Sequence, residues 1–595
     1  MDNFDCVVVG AGLYGLAAAK QFHVTQPTKS LAIFDSQSSL GGTWADERLY
    51  PGLNSNNLLG TYEYPDFPMS SASFPVKSGK HISGNAINTY LKAYAAHFGI
   101  ANLIRLETRV LSAEHQETLD GGWILTIDDP QNAKNQSKIF ARRLIIATGL
   151  TSDAFMPRFK GQESFDGKLF HGKYFQQNRD TLTAKTVTVF GASKFSWDTV
   201  YAYATAGAKV NWVIRSEGHG PCWIAPPYVT PLKRWLEKLA NTRFLTWFSP
   251  CIWGDADGYS GIRAFYHGTA FGRSIVNTFW KILGNDVLTL NNYDAHPDTA
   301  KLKPWTQAMF TGSSFSILNY EQDIFELVKS NKVDVYVGEI SHLSPRRVHL
   351  VDGTEFESEV FVANTGWKHI PPIKFLPEGI EKDLGIPYQP LTDDETPYGK
   401  LGLQADQDIL QRFPRLKTPP VWNRNYVPLT HGKGIESRDE EPPALTPYML
   451  YHFLIPASVR FLRTRDIAFA GIMSNLSNAP TAHITGLWIS AHFSGMLEVD
   501  PAKTLDAGDD GTSLAKIQYE TVLYNRWGRW RYPTDWGNKN PNFVFDAVPY
   551  LDLLQHDLGL KSHRKKGWFA EMVEPYGPED YADINNEWES KNKAI

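Results

Sequence analysis

At 595 residues, with 42% hydrophobic and 21% charged side chains, the chain is long enough for two to four folded units, each with an ordinary core. A net charge of −5 and the lack of any basic stripe give no footprint for nucleic acid. Three well-separated cysteines (Cys6, Cys222, Cys251) and no CxxC argue against a disulfide framework, a cysteine-rich metal site and a dithiol reductase. No run reaches the ~18 apolar residues of a membrane helix. The nearest, Tyr448 to Leu462, is broken by His452, Pro456 and Arg460. The first strand begins at residue 4, so no secretory leader is expected and a cytoplasmic protein is the default. Aromatics make up 13% of the chain, with 18 Trp, which suits flat ring-shaped ligands and large cores equally.

Phe4 to Val9 predicts a buried strand, Gly10-Ala11-Gly12-Leu13-Tyr14-Gly15 a glycine turn, and Leu16 to Phe22 a helix. That is the order a dinucleotide pyrophosphate needs. Gly10 permits the tight turn, Gly12 lets backbone approach phosphate, and Gly15 lets helix and strand pack closely. The helix N-terminus adds free N–H groups and partial positive charge. A second strand, Ser30 to Phe34, ends in Asp35, about 20 residues after the turn, where the ribose-binding acid belongs. A structural βαβ unit without ligand accounts for the same residues less fully.

Gly41-Gly42-Thr43-Trp44, Tyr50-Pro51-Gly52 and Asn54-Ser55-Asn56-Asn57 mark irregular backbone, which continues through Tyr62 to Pro68. Ala86 to Phe98 reads as an amphipathic helix, and two strands flank Gly121-Gly122. Leu144 to Gly149, containing Thr148 and Gly149, reads as a strand meeting a turn. Val187 to Phe190, the turn Gly191-Ala192-Ser193-Lys194-Phe195-Ser196, a helix through Ala204 and a strand Lys209 to Ile214 copy the opening unit. Only the first glycine survives there; Ser193 and Ser196 are small enough to keep backbone approach open. Arg215-Ser216 stands where Asp35 stands in the first unit, and arginine suits the 2′-phosphate of NADP. A solvated surface arginine is the bland alternative.

Pro221 to about Trp305 is an insertion rich in Trp, Phe, Pro and Gly, read as the cover of a cleft. Val348 to Phe356 predicts a hairpin around Asp352-Gly353. Val360 to Trp367, with Thr365-Gly366, is another strand meeting a turn. Residues 377 to 445 read as long surface loops. Ile467 to Gly471 is a late strand, followed by a helix from Ala482 to Leu497. The tail from Tyr519 is expected to wrap the surface.

The motifs together resemble the flavin-containing monooxygenases and their N-hydroxylating and Baeyer–Villiger relatives. Phe165-x-Gly167-x-x-x-His171-x-x-x-Phe175 matches the fingerprint FxGxxxHxxx(Y/F) just before the second turn. The Baeyer–Villiger version ends in Trp followed by Pro or Asp; here Phe175 and Gln176 hold those places. Gly10-Gly12-Gly15, Gly41-Gly42-Thr43-Trp44 and Tyr50-Pro51-Gly52 resemble the family's FAD loops. Ala147-Thr148-Gly149 and Asn364-Thr365-Gly366 resemble its interdomain linkers. The resemblance covers most of residues 4 to 215 and 345 to 500.

It implies an α/β fold of two Rossmann-like dinucleotide-binding domains, for FAD and NADPH, with a helical, aromatic insertion and a C-terminal extension. The expected boundaries are 1–158 (FAD, first part), 159–367 (NADPH, with the insertion at about 221–305) and 368–595 (FAD, second part, and extension). It further implies a C4a-hydroperoxyflavin that oxygenates nitrogen or sulfur of a small molecule, with O₂ as co-substrate. Asn56 aligns with the Asn that heteroatom-oxidising members carry near the flavin's reactive edge and that Baeyer–Villiger members replace with Asp. The Baeyer–Villiger arginine would fall near residue 315, yet Lys303 to Leu327 contains no Arg. His171 is a candidate acid–base group by its place in the fingerprint, although a linker histidine bonded to backbone explains it at least as well. The departures are Ser193 and Ser196 in the second turn, and His483 and Thr485 where the late helix usually carries an acid and a glutamine. No metal and no stable membrane insertion are expected; homo-oligomerisation, Baeyer–Villiger oxygenation and a redox-silent role as a nucleotide-binding sensor or scaffold stay open.

Overall fold

The computed structural model describes residues 1–593 apart from 119, 129–135, 231–232, 313, 391–398, 421–422, 437–444, 506–511 and 535. Two five-stranded parallel sheets carry the architecture. In the first, the spatial order is Ile467–Phe469, Leu144–Ile146, Cys6–Val9, Leu31–Phe34 and Ile104–Arg105. Cys6–Val9 is buried along its whole length, as a central parallel strand covered on both faces should be. Val7, Val9, Ala32 and Phe34 pack against Trp123, Leu125 and Phe375 of a mixed sheet on one side. Cys6, Val8 and Ile33 share the opposite core with Leu16, Ala17 and Ile484. Those last three come from the helices Leu13–Thr25 and Asn478–Ser494. Small residues let these helices touch: a Cβ on Gly486 would lie 3.0 Å from Ala17 O.

The opening run does not form one strand. Asp2–Phe4 pairs with Gln136–Ala141 in the mixed sheet, and Cys6–Val9 belongs to the first parallel sheet. Asp5 is the break: its carboxylate accepts from the backbone N and the hydroxyl of Ser30, each at 2.9 Å.

The second parallel sheet runs Lys168–His171, Val360–Ala363, Thr186–Phe190, Lys209–Ile214, Val333–Val337. Its glycine turn leads into the helix Lys194–Ala206. The insertion is helical, with Arg243–Thr246, Ser260–Gly268 and the long Ala270–Asn291. It is stitched back by Trp223–Ala225 pairing with Phe315–Ile317.

Two expectations change. The tail does not wrap the surface: in the helix Ala547–Asp557 every residue but His556 is buried. The indole of Trp527 donates to Pro250 O at 2.6 Å, and that of Trp253 to Asp546 O at 3.2 Å. Tail and insertion therefore build one core, their indoles burying ring area while each N–H finds a carbonyl. Residues 377–445 are not all loop either, because the helix Gly399–Arg412 buries Ala405 and Ile409; parts of that stretch (391–398, 421–422, 437–444) lie outside the described residues. No helix among the described residues is long and apolar enough to cross a membrane.

Candidate active site

The first glycine turn is closed by backbone contact. Gly10 has φ +114°, and a Cβ there would sit 2.3 Å from Ala147 O. A Cβ on Gly15 would lie 1.9 Å from Gly10 O, so no side chain fits between turn and helix. Gly12 precedes the helix Leu13–Thr25 without a side-chain cap, and the first turn holds no acid. Its leading N–H groups are thus left for an anion. Gly41-Gly42 crosses over this turn: Gly41 N donates to Ala11 O at 2.9 Å, and a Gly42 Cβ would lie 3.0 Å from Gly12 Cα.

The flanking side chains lock the same cradle. Tyr64 OH donates to Leu13 O at 2.5 Å, and Tyr14 OH to Asn478 Oδ1 at 3.2 Å, fixing the opening helix to the late one. The Trp44 indole donates to Tyr62 OH at 2.9 Å, and Thr43 Oγ1 meets Thr151 Oγ1 at 3.3 Å. Asp35 is buried and accepts from Ala11 N at 2.7 Å through Oδ2 and from Gln37 N at 2.9 Å through Oδ1. Burial is the largest influence on this acid and raises its pKa. Each oxygen keeps a lone pair for a ribose hydroxyl. Thr148 and Gly149 close the rim after Leu144–Ile146, at the carboxyl edge where open parallel sheets take ligands. The cradle fits a dinucleotide.

The second turn solves the same packing with fewer glycines. Gly191 has φ +128°, and a Cβ there would meet Asn364 O at 2.6 Å and Ser196 Oγ at 3.0 Å. Ser196 therefore fills the third glycine's place, its hydroxyl buried without a partner. Ser193 precedes the helix Lys194–Ala206 with no side-chain cap and no acid in the first turn, leaving that N-terminus open as well. The Lys194 side chain pairs with Asp198 and donates to Asn319 Oδ1 at 2.9 Å. At the end of the neighbouring strand, Arg215 Nε donates to Glu339 Oε2 at 3.1 Å and Nη2 to Val427 O at 3.0 Å. Ser216 Oγ reaches the same carboxylate at 3.4 Å.

Asn319 is a hub that no local motif announces. It donates to Asn54 O at 2.9 Å and to Ser55 O at 3.2 Å, so Lys194 is linked through it to the strand Asn54–Leu58. On that strand Asn56 is half-buried, and Ser316 Oγ donates to its Oδ1 at 3.1 Å. Asn57 donates to the buried Glu237 of the insertion and to Leu476 O at 3.2 Å.

His171 lies apart from this cluster. Lys173 N donates to its Nδ1 at 3.1 Å, and its Nε2 faces Gly366 O at 3.1 Å, which fixes the neutral tautomer protonated on Nε2. Burial lowers its pKa to about 4. Thr365 Oγ1 donates to Phe155 O at 2.5 Å, and Phe155 N to Gly366 O at 3.0 Å, so both linkers close on this histidine.

Two glycine turns on two parallel sheets, each with an uncapped helix N-terminus at the carboxyl edge, define a flavoprotein-type framework of paired dinucleotide folds. Residues 5–225 match the family model described as flavin-binding monooxygenase-like. A "FAD-dependent monooxygenase resA" of Aspergillus sclerotiorum is 30% identical over 610 residues, covering 99% of both chains. A FAD-dependent monooxygenase of Pyrenophora dematioidea is 31% identical over 587 residues, covering 96% of this chain and all of its own. The chain belongs to the FAD-dependent monooxygenases. Among solved structures, the cyclohexanone monooxygenase from Rhodococcus sp. Phi1 bound to NADP+ superposes with a TM-score of 0.57 at 16% identity, over 94% of this chain and 98% of that one. The S-allyl-L-cysteine S-oxygenase from Allium sativum superposes at 0.50 and 14%, over 100% and 94%. These two show the shared fold.

Proposed function

We propose that this monooxygenase uses NADPH and O₂ to place one oxygen atom on a nucleophilic nitrogen or sulfur of a small organic molecule. The balance is substrate + O₂ + NADPH + H⁺ → oxygenated substrate + H₂O + NADP⁺. Bound FAD would supply the redox chemistry, as acceptor of the nicotinamide hydride and site of O₂ activation. The residues that would hold it are Gly10, Gly12, Leu13, Tyr14, Gly15, Asp35, Gly42, Thr43, Trp44, Thr148 and Gly149. Gly191, Ser193, Lys194, Ser196, Arg215 and Ser216 would hold the nicotinamide dinucleotide, with Thr365-Gly366 at the joint between the two. We read His171 as part of that joint, because both its nitrogens serve backbone groups at neutral pH.

The observation that carries the choice of substrate is Ser316 bonded to Asn56. In the stretch where the resemblance would put a Baeyer–Villiger arginine stands an uncharged hydroxyl. Inserting oxygen beside a ketone carbon builds negative charge that a fixed cation stabilises. Transfer to an electron-rich nitrogen or sulfur asks instead for a polar, neutral wall and exclusion of water, which Asn56, Ser316 and the aromatic cover supply. The test is product analysis in air with NADPH, offering a thioether and a cyclic ketone separately. Sulfoxide without ester supports the reading. Ester alone overturns it, and no NADPH consumption with either substrate removes the enzymatic reading.

A further inference from the structure

One carboxyl under the cover has no cation. Glu237, in the short helix Leu236–Ala240, is 1% exposed. Its Oε1 accepts from Asn57 Nδ2. The same amide nitrogen donates to Leu476 O, in the loop after the last strand of the first sheet, so Asn57 ties insertion, strand and loop together. Oε2 is buried without a regular hydrogen bond, and so is the indole N–H of Trp235. Thr61, Asn57, the Leu58 backbone and Trp235 face this carboxyl and each draws its pKa down, by less than burial raises it.

From the paired strand His81 faces the backbone of Asn57, and burial lowers its pKa; the other charged and titratable groups on the surrounding elements are engaged elsewhere. Lys238 lies over the Trp235 ring at 4.9 Å, and Arg243 is held by Asp552 and Glu571. Glu63 accepts from Met69 N at 2.7 Å, and Tyr576 bonds Glu571. No described ion pair includes Glu237. A desolvated carboxylate without a cation keeps its proton, and burial raises this acid to about 7.

We propose that Glu237 is a positioning residue that holds a proton on Oε2 and, through Asn57, sets the strand that presents Asn56. The inference rests on the reading that Asn56 faces the flavin. When the proton leaves Oε2 for solvent, a negative charge with no cation beside it remains directly behind that strand. The perturbation runs from Glu237 through the Asn57 amide to its neighbour Asn56.

The test is a pH titration of the visible spectrum of the FAD-loaded protein from pH 5.5 to 8.5. In wild type a single step centred near 7 is expected. Glu237→Gln, which keeps an oxygen for Asn57 but cannot ionise, should be flat. Asn57→Ser, which keeps Glu237 but cuts the link, should lose at least half of the amplitude. A flat wild type, or a Glu237→Gln protein that titrates like wild type, overturns the proposal. The proton is read separately from thermal unfolding of the flavin-free protein. An acid with a raised folded pKa loses stability as pH rises from its unfolded value of about 4.3 to the folded one and levels off above it, so wild type should lose about two degrees relative to Glu237→Gln between pH 5 and 8. Parallel curves overturn the proposal whatever the flavin shows. A wild-type chain that takes up no FAD but gives diverging curves refutes the flavin reading of the cleft and leaves the protonated acid standing.

Discussion

Ser316 and Asn56, 260 residues apart in sequence, meet at 3.1 Å with the serine hydroxyl donating to the amide oxygen. That bond engages the amide oxygen of Asn56; among the described residues its amide nitrogen makes no hydrogen bond. Asn56→Ala is expected to keep FAD and to oxidise NADPH, while product per NADPH falls at least tenfold and hydrogen peroxide rises. Ser316→Ala loses about 1 kcal/mol of orientation, so its uncoupling should be about fivefold. Unchanged coupling in Asn56→Ala removes this residue from the mechanism.

Arg215 meets Glu339 at 3.1 Å. A 2′-phosphate must share or displace that carboxylate, and a charge-assisted hydrogen bond of about 1.5–3 kcal/mol corresponds to roughly 10–100-fold in affinity. Arg215→Ala should raise KM for NADPH by that factor and KM for NADH by less than about threefold. Glu339→Gln frees the guanidinium and should lower KM for NADPH. Equal changes for both nucleotides in Arg215→Ala sink the phosphate role.

His171 is 3% exposed, with a pKa lowered to about 4 by burial. Its folded pKa lies below the unfolded value of about 6.5. The neutral-state contribution is therefore complete above pH 6.5 and lost as pH falls toward 4, by at most about 3 kcal/mol. Urea unfolding of wild type should show falling stability from pH 7 to 5, with a shallower fall in His171→Asn. A catalytic acid–base role would instead move the pH profile of turnover between 6 and 8; no such shift is expected.

Arg243 is fully buried, donating to Asp552 and at 2.8 Å to Glu571. Removing it leaves two carboxylates without their cation, and breaking a buried pair costs about 3–5 kcal/mol. Arg243→Met should destabilise by that amount in equilibrium unfolding. The triple variant Arg243→Met, Asp552→Leu, Glu571→Met should recover most of it, because apolar replacements of the whole group remove the unmatched charge. A single variant as stable as wild type would mean that water reaches the network.

Much of the first sheet was legible because its signal is local. Gly10, Gly12, Gly15 and Asp35 fall within 26 residues and each has a backbone reason for its identity. The second turn was harder, since Ser196 does a glycine's packing with a buried hydroxyl, which no spacing rule anticipates. Asp5 ended a strand inside an apolar run because Ser30 bonds it across the gap. Asn319, Ser316 and Glu237 were missed for a different reason: they reach Asn54, Asn56 and Asn57 over 180 to 265 residues, and only the folded chain brings them in range. The tail was misread because a helix buried all round has no polar face to betray its period.

The shared interior of insertion and tail bears on how such enzymes diversify. Replacing 221–305 alone by a segment without an arginine at the place of Arg243 would strand Asp552 and Glu571 in the buried core. Insertion and tail thus behave as one folding unit, and variants that exchange both together should stay folded where exchange of either alone does not.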